Sequence, residues 1–274
     1  MMKNPQTAIE LVAIDCDGTL LDSRKEISTG AAKAIAEVNA AGIQTALITG
    51  RNVDAVRFIL DAIELSGPMV GCGGAFIYDQ HSRKTLEMHT LPMDKTIELV
   101  KICRDYQSVL YLEYLHYAIY EKTSALMEHL NSLHQYNRRR VSDLLSEIQT
   151  EPVKAMVIGE ENVSSVIDEI QRRGLFGNFV FADAFSADIL PESVNKGVSL
   201  RSLADIQGVP LERVAVVGDW LNDLDMFNVG GYKIAMGNAP AELKTQADLI
   251  APTNDEGGLA WALRKILKFK REKQ

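Results

Sequence analysis

The sequence predicts an α/β protein: a parallel sheet carrying helices, interrupted by a separate α+β module. Three observations predict it. Leu11–Ile14 and Val214–Val217 are apolar runs without polar alternation, the pattern of strands buried on both faces of a parallel sheet. Strand-like and helical segments alternate with short links from Leu11 to Cys72, and again after Pro191. Between them, from about Lys84, that alternation is lost.

The elements follow in order. The Leu11–Ile14 strand stops at Asp15, Asp17 and Gly18. Ser28 is placed to cap a helix through Ala31, Ala34, Ile35 and Val38, with Gly42 as its stop. Ile43–Ile48 reads as a second strand, ending in Thr49-Gly50-Arg51. Asn52 or Asp54 opens a helix with Val56, Ile59, Leu60 and Ile63 at helical spacing. Met69–Cys72 is a third strand, running into a glycine-rich turn. In the interrupting module, Thr96–Tyr106 is an amphipathic helix carrying Ile97, Val100 and Ile102. Val109–Tyr120 is a hairpin turning near Leu115-His116, and helical stretches are expected over Leu126–Leu133 and Val141–Ile148. Val153–Ile158 is a strand, Val163–Arg172 a helix, and Phe179–Leu190 one or two strands. The parallel pattern then resumes. Lys196-Gly197 opens a helix closed by Gly208, and Val214–Val217 is a strand ending in Gly218-Asp219. A helix over Leu224–Phe227, strands at Tyr232–Met236 and Leu249–Ile250 and a helix over Leu259–Leu267 complete the core, with Lys268–Gln274 a charged, frayed tail. The domain expectation is a core of 1–83 and 190–274 around an insert of 84–189, with hinges near Tyr78–Arg83 and Ala187–Glu192.

Composition bounds the function. At 274 residues, 46% hydrophobic and 24% charged, the chain is long enough for two domains and is neither disordered nor fibrous. A net charge of −8 argues against a general nucleic-acid binder, which needs a basic face. Small anionic substrates stay open, since they respond to local charge. No run is long enough to span a membrane and the N-terminus lacks a signal-like apolar core, so a cytoplasmic location is the expectation. Cys16, Cys72 and Cys103 form neither a metal pair nor a disulfide framework and read as small buried apolar residues.

Four groups sit just past strands or at a helix start, where open α/β sheets bind ligands. They are Asp15/Asp17, Thr49-Gly50, Lys196, and Asp219 with Asn222 and Asp223. Carboxylates from two strands suit Mg²⁺, which takes oxygen ligands and binds substrate phosphate. A hydroxyl, an ammonium and an amide suit a phosphoryl group, and a remaining carboxylate can attack phosphorus. Each has an ordinary explanation alone: a polar turn, a surface lysine, a capped loop. The four in this order do not share one.

Together, Asp15-Cys16-Asp17-Gly18-Thr19-Leu20, Thr49-Gly50-Arg51, Lys196-Gly197 and Gly218-Asp219-Trp220-Leu221-Asn222-Asp223 resemble the haloacid dehalogenase (HAD) superfamily. The large insert between the second and third motifs is similar to the Cof-type, C2B-capped phosphatases of that superfamily. Ala235-Met236-Gly237-Asn238-Ala239 and Glu256-Gly257-Gly258 extend the match toward the end of the chain. The resemblance implies a Rossmann-like core with an inserted α+β cap. It implies a Mg²⁺-dependent phosphatase acting on small phosphorylated metabolites, such as sugar phosphates or flavin- and nucleotide-related phosphates. Carried onto this sequence, Asp15 is the nucleophile and Asp17 the general acid and then base. Mg²⁺ is held by the Asp15 side chain, the Asp17 main-chain carbonyl and Asp219. Phosphate is held by the Cys16 backbone, Thr49, Gly50, Lys196 and Asn222, with Asp223 in support. Substrate choice is assigned to the cap.

The sequence departs from that pattern at Gly73-Gly74-Ala75, where relatives often carry Asn-Gly-Ala, and at Trp220, where many have a small residue. Trp220 is a candidate wall of the pocket. Arg138-Arg139-Arg140 reads as a solvated charge run before it reads as a second anion site. The rival functions are a phosphotransferase or phosphomutase of the same fold, which product analysis with acceptors would separate, and a signalling or non-catalytic phosphate-binding protein. A receiver domain is disfavoured by the large insert.

Overall fold

A computed structural model describes residues 5–123, 137–159, 162–181 and 184–272. It divides into two compact units, one of Met1–Gly50, Arg57–Leu86 and Asn195–Gln274, the other of Arg51–Val56 and Glu87–Val194.

The first unit is built on an eight-stranded sheet. Its strands are β1 (Leu11–Asp15), β2 (Gln44–Ile48), β3 (Met69–Gly71), β4 (Phe76–Asp79) and β5 (Lys84–Met88). After the second unit's β6 (Val109–Glu113), β7 (Ala118–Tyr120), β8 (Arg138–Arg140), β9 (Lys154–Ile158), β10 (Phe179–Phe181) and β11 (Ser186–Ile189) come β12 (Val214–Gly218), β13 (Tyr232–Ala235) and β14 (Leu249–Ile250). The spatial order is β14-β13-β12-β1-β2-β3-β4-β5, and the strands from β14 to β3 are parallel. Central β1 is buried along its whole length, which is why its sequence shows no alternation. Leu11 and Ala13 pack with Leu200 and Leu203 of the helix Lys196–Gln207 and with Phe227.

The helix Thr29–Ala40 is capped by Ser28, whose Oγ accepts the Ala31 N–H, and Gly42 follows with φ of 72°. Asn52 opens the next helical stretch by accepting the Ala55 N–H, but the first turn, Asp54–Val56, is a 3₁₀ helix before Arg57–Ala62. Two further features differ from the sequence reading. The chain turns back after Gly74 as β4, antiparallel to β3, with β5 on the edge. The closing helix runs Gly258–Glu272, so the charged tail continues it instead of fraying at Lys268. An amphipathic pattern ends where burial ends, whereas lysine and arginine extend a helix readily.

The second unit has a six-stranded sheet, β10-β11-β9-β6-β7-β8, antiparallel except for β7 with β8. One face, with Leu110, Leu112, Ala155, Val157, Ala187 and Ile189, packs on the helices Met93–Asp105 and Val163–Arg172. The first helix starts three residues before the expected Thr96 and turns Leu99 inward, leaving Ile97 half-buried. The expected Val141–Ile148 helix is the single turn Leu144–Glu147, because the Asp143 side chain caps at Leu145. The expected Leu126–Leu133 helix lies outside the described residues. On the other face, Tyr111 stacks on Tyr120 with centroids 4.8 Å apart, and the Arg138 guanidinium lies 5.6 Å from the Tyr111 ring. Lys154 there reaches Asp188 Oδ2 at 3.1 Å and Glu113 Oε1 at 3.4 Å, a charge set across three adjacent strands in which Lys154 and Glu113 are buried and Asp188 half-buried. No helix among the described residues is long and apolar enough to cross a membrane.

Candidate active site

The parallel register brings the motifs to one sheet edge. Ile14 lies beside Val217 and Asp15 beside Ile48, so Asp15, Thr49 and Asp219 all fall at the carboxyl ends of β1, β2 and β12. Lys196 is the first residue of its helix, which Asn195 caps by accepting the Val198 N–H at 2.8 Å. Gly197 lets that helix start approach closely: a Cβ there would lie 2.3 Å from the Asp225 carbonyl oxygen.

Lys196 joins the two acidic motifs. Its Nζ donates to Asp15 Oδ1 and to Asp223 Oδ1, each at 2.6 Å. Asp223 is fully buried, and its Oδ2 accepts the backbone N–H groups of Asp219 at 2.9 Å and Trp220 at 3.1 Å. One carboxylate thus fixes both the lysine and the turn that carries Asp219. The Thr19 hydroxyl donates to Asp219 Oδ1 and the Asn238 amide to Asp219 Oδ2, both at 3.0 Å. Gly18, at φ of 82°, makes the turn after Asp17, and a Cβ on it would lie 2.2 Å from Asp219 Oδ2.

Asp15, Asp219 and Asp223 offer carboxylate oxygens that lie within 4.8 Å of one another, and all three are buried. One ammonium faces three carboxylates. Burial, and then the charge of Asp223, push Asp15 well above the usual carboxylate range even though Lys196 pulls it down. Burial and Asp223 likewise push Asp219 up to about 6, opposed by the Thr19 hydrogen bond. For Lys196, burial works against the ammonium, but Asp15 and Asp223 outweigh it and raise its pKa above the ordinary lysine value. The cluster is therefore an all-oxygen anionic site with too little positive charge, the chemistry that suits a hard divalent cation.

The other sequence candidates each have their own surroundings. The Cys16 side chain is buried and its carbonyl accepts the Leu20 and Leu21 N–H groups at 3.0 and 2.9 Å. Thr49 is buried; its N–H donates to the Val70 carbonyl and its carbonyl accepts the Gly73 N–H. Among the described residues, no atom outside its own chain neighbours lies within 4 Å of the Cβ position of Gly50. The 72–74 segment is a 3₁₀ turn in which Cys72, at φ of 48°, takes a left-handed conformation. Asp17 is set apart from the buried carboxylates: its side chain is 39% exposed and its Oδ1 accepts from Lys25 Nζ at 2.9 Å. Asn222 is half-buried in the Leu221–Asp223 turn and Trp220 is 49% exposed. Of the arginine run, Arg139 pairs with Glu147 at 2.9 Å and Arg140 Nε donates to the Glu121 carbonyl.

Sequence reasoning assigned no role to Thr19, Lys25 or Asn238. Thr19 and Asn238 stand inside motifs quoted for the resemblance, so position was the available signal. Lys25 had none.

Comparison with known proteins agrees with this architecture. The sequence profile of the haloacid dehalogenase-like hydrolase family matches residues 12–263. The chain is 28% identical over 277 residues to the 5-amino-6-(5-phospho-D-ribitylamino)uracil phosphatase YitU of Bacillus subtilis, covering 96% of this chain and all 100% of that one. It is 30% identical over 291 residues to YwtE of the same organism, a phosphatase of the same name, covering 94% and 98%. It is 25% identical over 268 residues to the pyridoxal phosphate phosphatase YbhA of Escherichia coli, covering 91% and 96%. A crystal structure of a haloacid dehalogenase-like hydrolase from Bacteroides thetaiotaomicron superposes with a TM-score of 0.87 at 26% identity, covering 94% of this chain and 99% of that one. A parallel core sheet, a second mixed sheet forming a cap and a buried aspartate cluster joined by a lysine place this chain in the haloacid dehalogenase-like hydrolase family, as one of its phosphatases.

Proposed function

We propose that this phosphatase is a Mg²⁺-dependent phosphomonoesterase that acts on small phosphorylated metabolites through an aspartyl-phosphate intermediate on Asp15. The observation that carries the reading is Lys196 bridging Asp15 and Asp223 at 2.6 Å beside the Asp219 carboxylate. The buried all-oxygen donor set fits Mg²⁺, with the Asp15 and Asp219 side chains and the Asp17 carbonyl as ligands. Bound there, the cation would keep the carboxylates ionised and neutralise phosphoryl charge.

An Asp15 oxygen attacks phosphorus as the bond from phosphorus to the leaving oxygen breaks. Asp17 gives its proton to that oxygen, which departs as an alcohol. Asp17 then takes a proton from water, which attacks phosphorus, releases inorganic phosphate and restores the Asp15 carboxylate. Lys196, held charged by its two carboxylate partners, balances phosphoryl negative charge together with the Thr49 hydroxyl, the backbone at Cys16 and Gly50, and Asn222. Asp223 orients Lys196 and the Asp219 turn.

These groups serve the phosphoryl end alone, so the leaving group is chosen elsewhere: by the inserted cap, residues 84–189, and by the exposed Trp220. The named relatives act on a ribitylaminouracil phosphate and on pyridoxal phosphate. They support a substrate class of sugar phosphates and flavin-, nucleotide- or vitamin-related phosphates for this chain.

The test is a screen of such phosphates for phosphate release with Mg²⁺ and after exhaustive chelation. Release that depends on Mg²⁺ is expected. Full activity in metal-free protein would overturn the reading.

A further inference from the structure

The segment after β13 and the loop after β14 take no part in the chemistry above, yet they are built closely around one amide. Asn238 Nδ2 donates to the Gly18 carbonyl at 2.9 Å and to Asp219 Oδ2 at 3.0 Å. Its Oδ1 accepts the backbone N–H of Asn254 at 3.1 Å. Each side of the amide has the right partner. A carbonyl and a carboxylate can only accept, so they face the NH₂ group, and an N–H can only donate, so it faces the oxygen. The amide's orientation is fixed three ways.

Its support is equally specific. Asn254 Nδ2 donates to the Leu21 carbonyl at 3.0 Å, and Asp255 Oδ1 accepts the Ser23 N–H at 2.8 Å. The loop after β14 is therefore tied to the 18–23 segment that follows the first acidic motif. Gly237 lets the two loops touch, since a Cβ there would lie 2.7 Å from the Thr253 nitrogen. Met236-Gly237-Asn238 and the Thr253–Gly258 loop form one clamp, and what they clamp is Asp219 and the turn after Asp17.

We propose that Asn238 is a positioning residue for the metal ligands, holding Asp219 Oδ2 and the Gly18 peptide in the geometry that sets affinity for the divalent cation. This rests on the reading of Asp219 as a ligand. Thr19 holds the other Asp219 oxygen, Oδ1, at 3.0 Å, so each oxygen has one neutral donor. Neutral donors orient a ligand carboxylate without competing for it as a fixed cation would. Asn238 acts through these groups and does not touch substrate.

The experiment uses the full-length protein and Mg²⁺ alone as the probe. Asn238 is exposed, so Asn238→Ala leaves no core cavity and should fold with a thermal midpoint in the absence of Mg²⁺ close to the parent's. Calorimetry should show Mg²⁺ affinity weakened by roughly 10- to 100-fold, the usual cost of losing a hydrogen bond to a metal ligand. Activity should recover at saturating Mg²⁺, with substrate KM near that of the parent. Asn238→Gln keeps the amide but misplaces it, and should also weaken Mg²⁺ binding. Folded variants that both bind Mg²⁺ like the parent would overturn the proposal and leave the phosphatase reading intact. A parent protein that binds no Mg²⁺ would overturn both.

Discussion

Asp15 and Asp17 are two residues apart and have different surroundings. Asp15 is buried against Lys196, whereas the Asp17 side chain is 39% exposed and paired with Lys25. A nucleophile needs a fixed oxygen and an acid needs access to a proton, so the two positions suit different work. Asp15→Asn should abolish turnover of every substrate alike. Asp17→Asn should slow sugar-phosphate hydrolysis by roughly 10²–10⁴-fold and nitrophenyl-phosphate hydrolysis far less, because nitrophenolate leaves without a proton. Parallel kinetics on the two esters check this, and equal losses on both would refute the division of roles. The buried carboxylates also give stability a pH dependence. Asp219 has an ordinary value of 3.8 and is pushed up to about 6 in the folded protein, so folding takes up a proton between those values. Its contribution is present below about pH 4 and is lost as pH rises through about 6. The metal-free thermal midpoint should therefore rise from pH 7 to pH 5. Stabilisation by Mg²⁺ should shrink over the same interval, since protons compete for the ligand. Differential scanning calorimetry with and without Mg²⁺ reads both, and Asp219→Asn should reduce the metal-free trend to the part that the likewise raised Asp15 contributes.

At the scale of elements, the site depends on how closely the Lys196–Gln207 helix approaches the turn after β12. Gly197→Ala sets a Cβ against the Asp225 carbonyl oxygen at 2.3 Å, contact with backbone that cannot rotate away. The helix start must shift, and Lys196 with it, by an amount comparable to the misplacement that costs about 10²-fold in rate. We expect kcat to fall on that order with secondary structure intact by circular dichroism. In the second unit, Lys154 sits 5% exposed between Glu113 and Asp188. Burial raises the Asp188 carboxyl above its usual range even with Lys154 beside it. Lys154→Met leaves the buried Glu113 and the half-buried Asp188 carboxyls without this cation, and breaking a buried pair costs roughly 3–5 kcal/mol. Faster hydrogen exchange confined to β6, β9 and β11 is the expected signature.

For the whole molecule, each unit carries its own apolar core, one around Leu11, Leu200 and Phe227, the other around Leu112, Val157 and Ile167. The acidic cluster and Lys196 belong entirely to the first unit. Replacing Glu87–Val194 by a short linker should therefore leave a protein that still binds Mg²⁺ and hydrolyses small phosphate esters weakly and without preference. A parallel substrate panel checks it: a folded deletion variant that kept the parent's order of preference would show that the cap does not select.

Much of this was legible in sequence because the information is local. Unbroken apolar runs mark β1 and β12, Ser28 and Asn195 mark helix starts, and the acids follow their strands directly. The parallel α/β class and the residues Asp15, Lys196, Asp219 and Asp223 come from such patterns. The return through antiparallel β4 and edge strand β5 did not show: Phe76–Asp79 is a short apolar run that carries no sign of its direction, and Lys84–Met88 is mostly exposed with no buried stripe to read. Nor did the partnerships, because they join residues far apart in the chain. Lys196 meets Asp15 across 181 positions, Thr19 meets Asp219 across 200, and Asn238 meets Gly18 across 220. The sequence determined which side chains were available at the sheet edge. Only the tertiary structure decided which carboxylate holds the lysine, which stands apart with Lys25, and which amide holds Asp219, because those choices are set by register and close approach between distant segments.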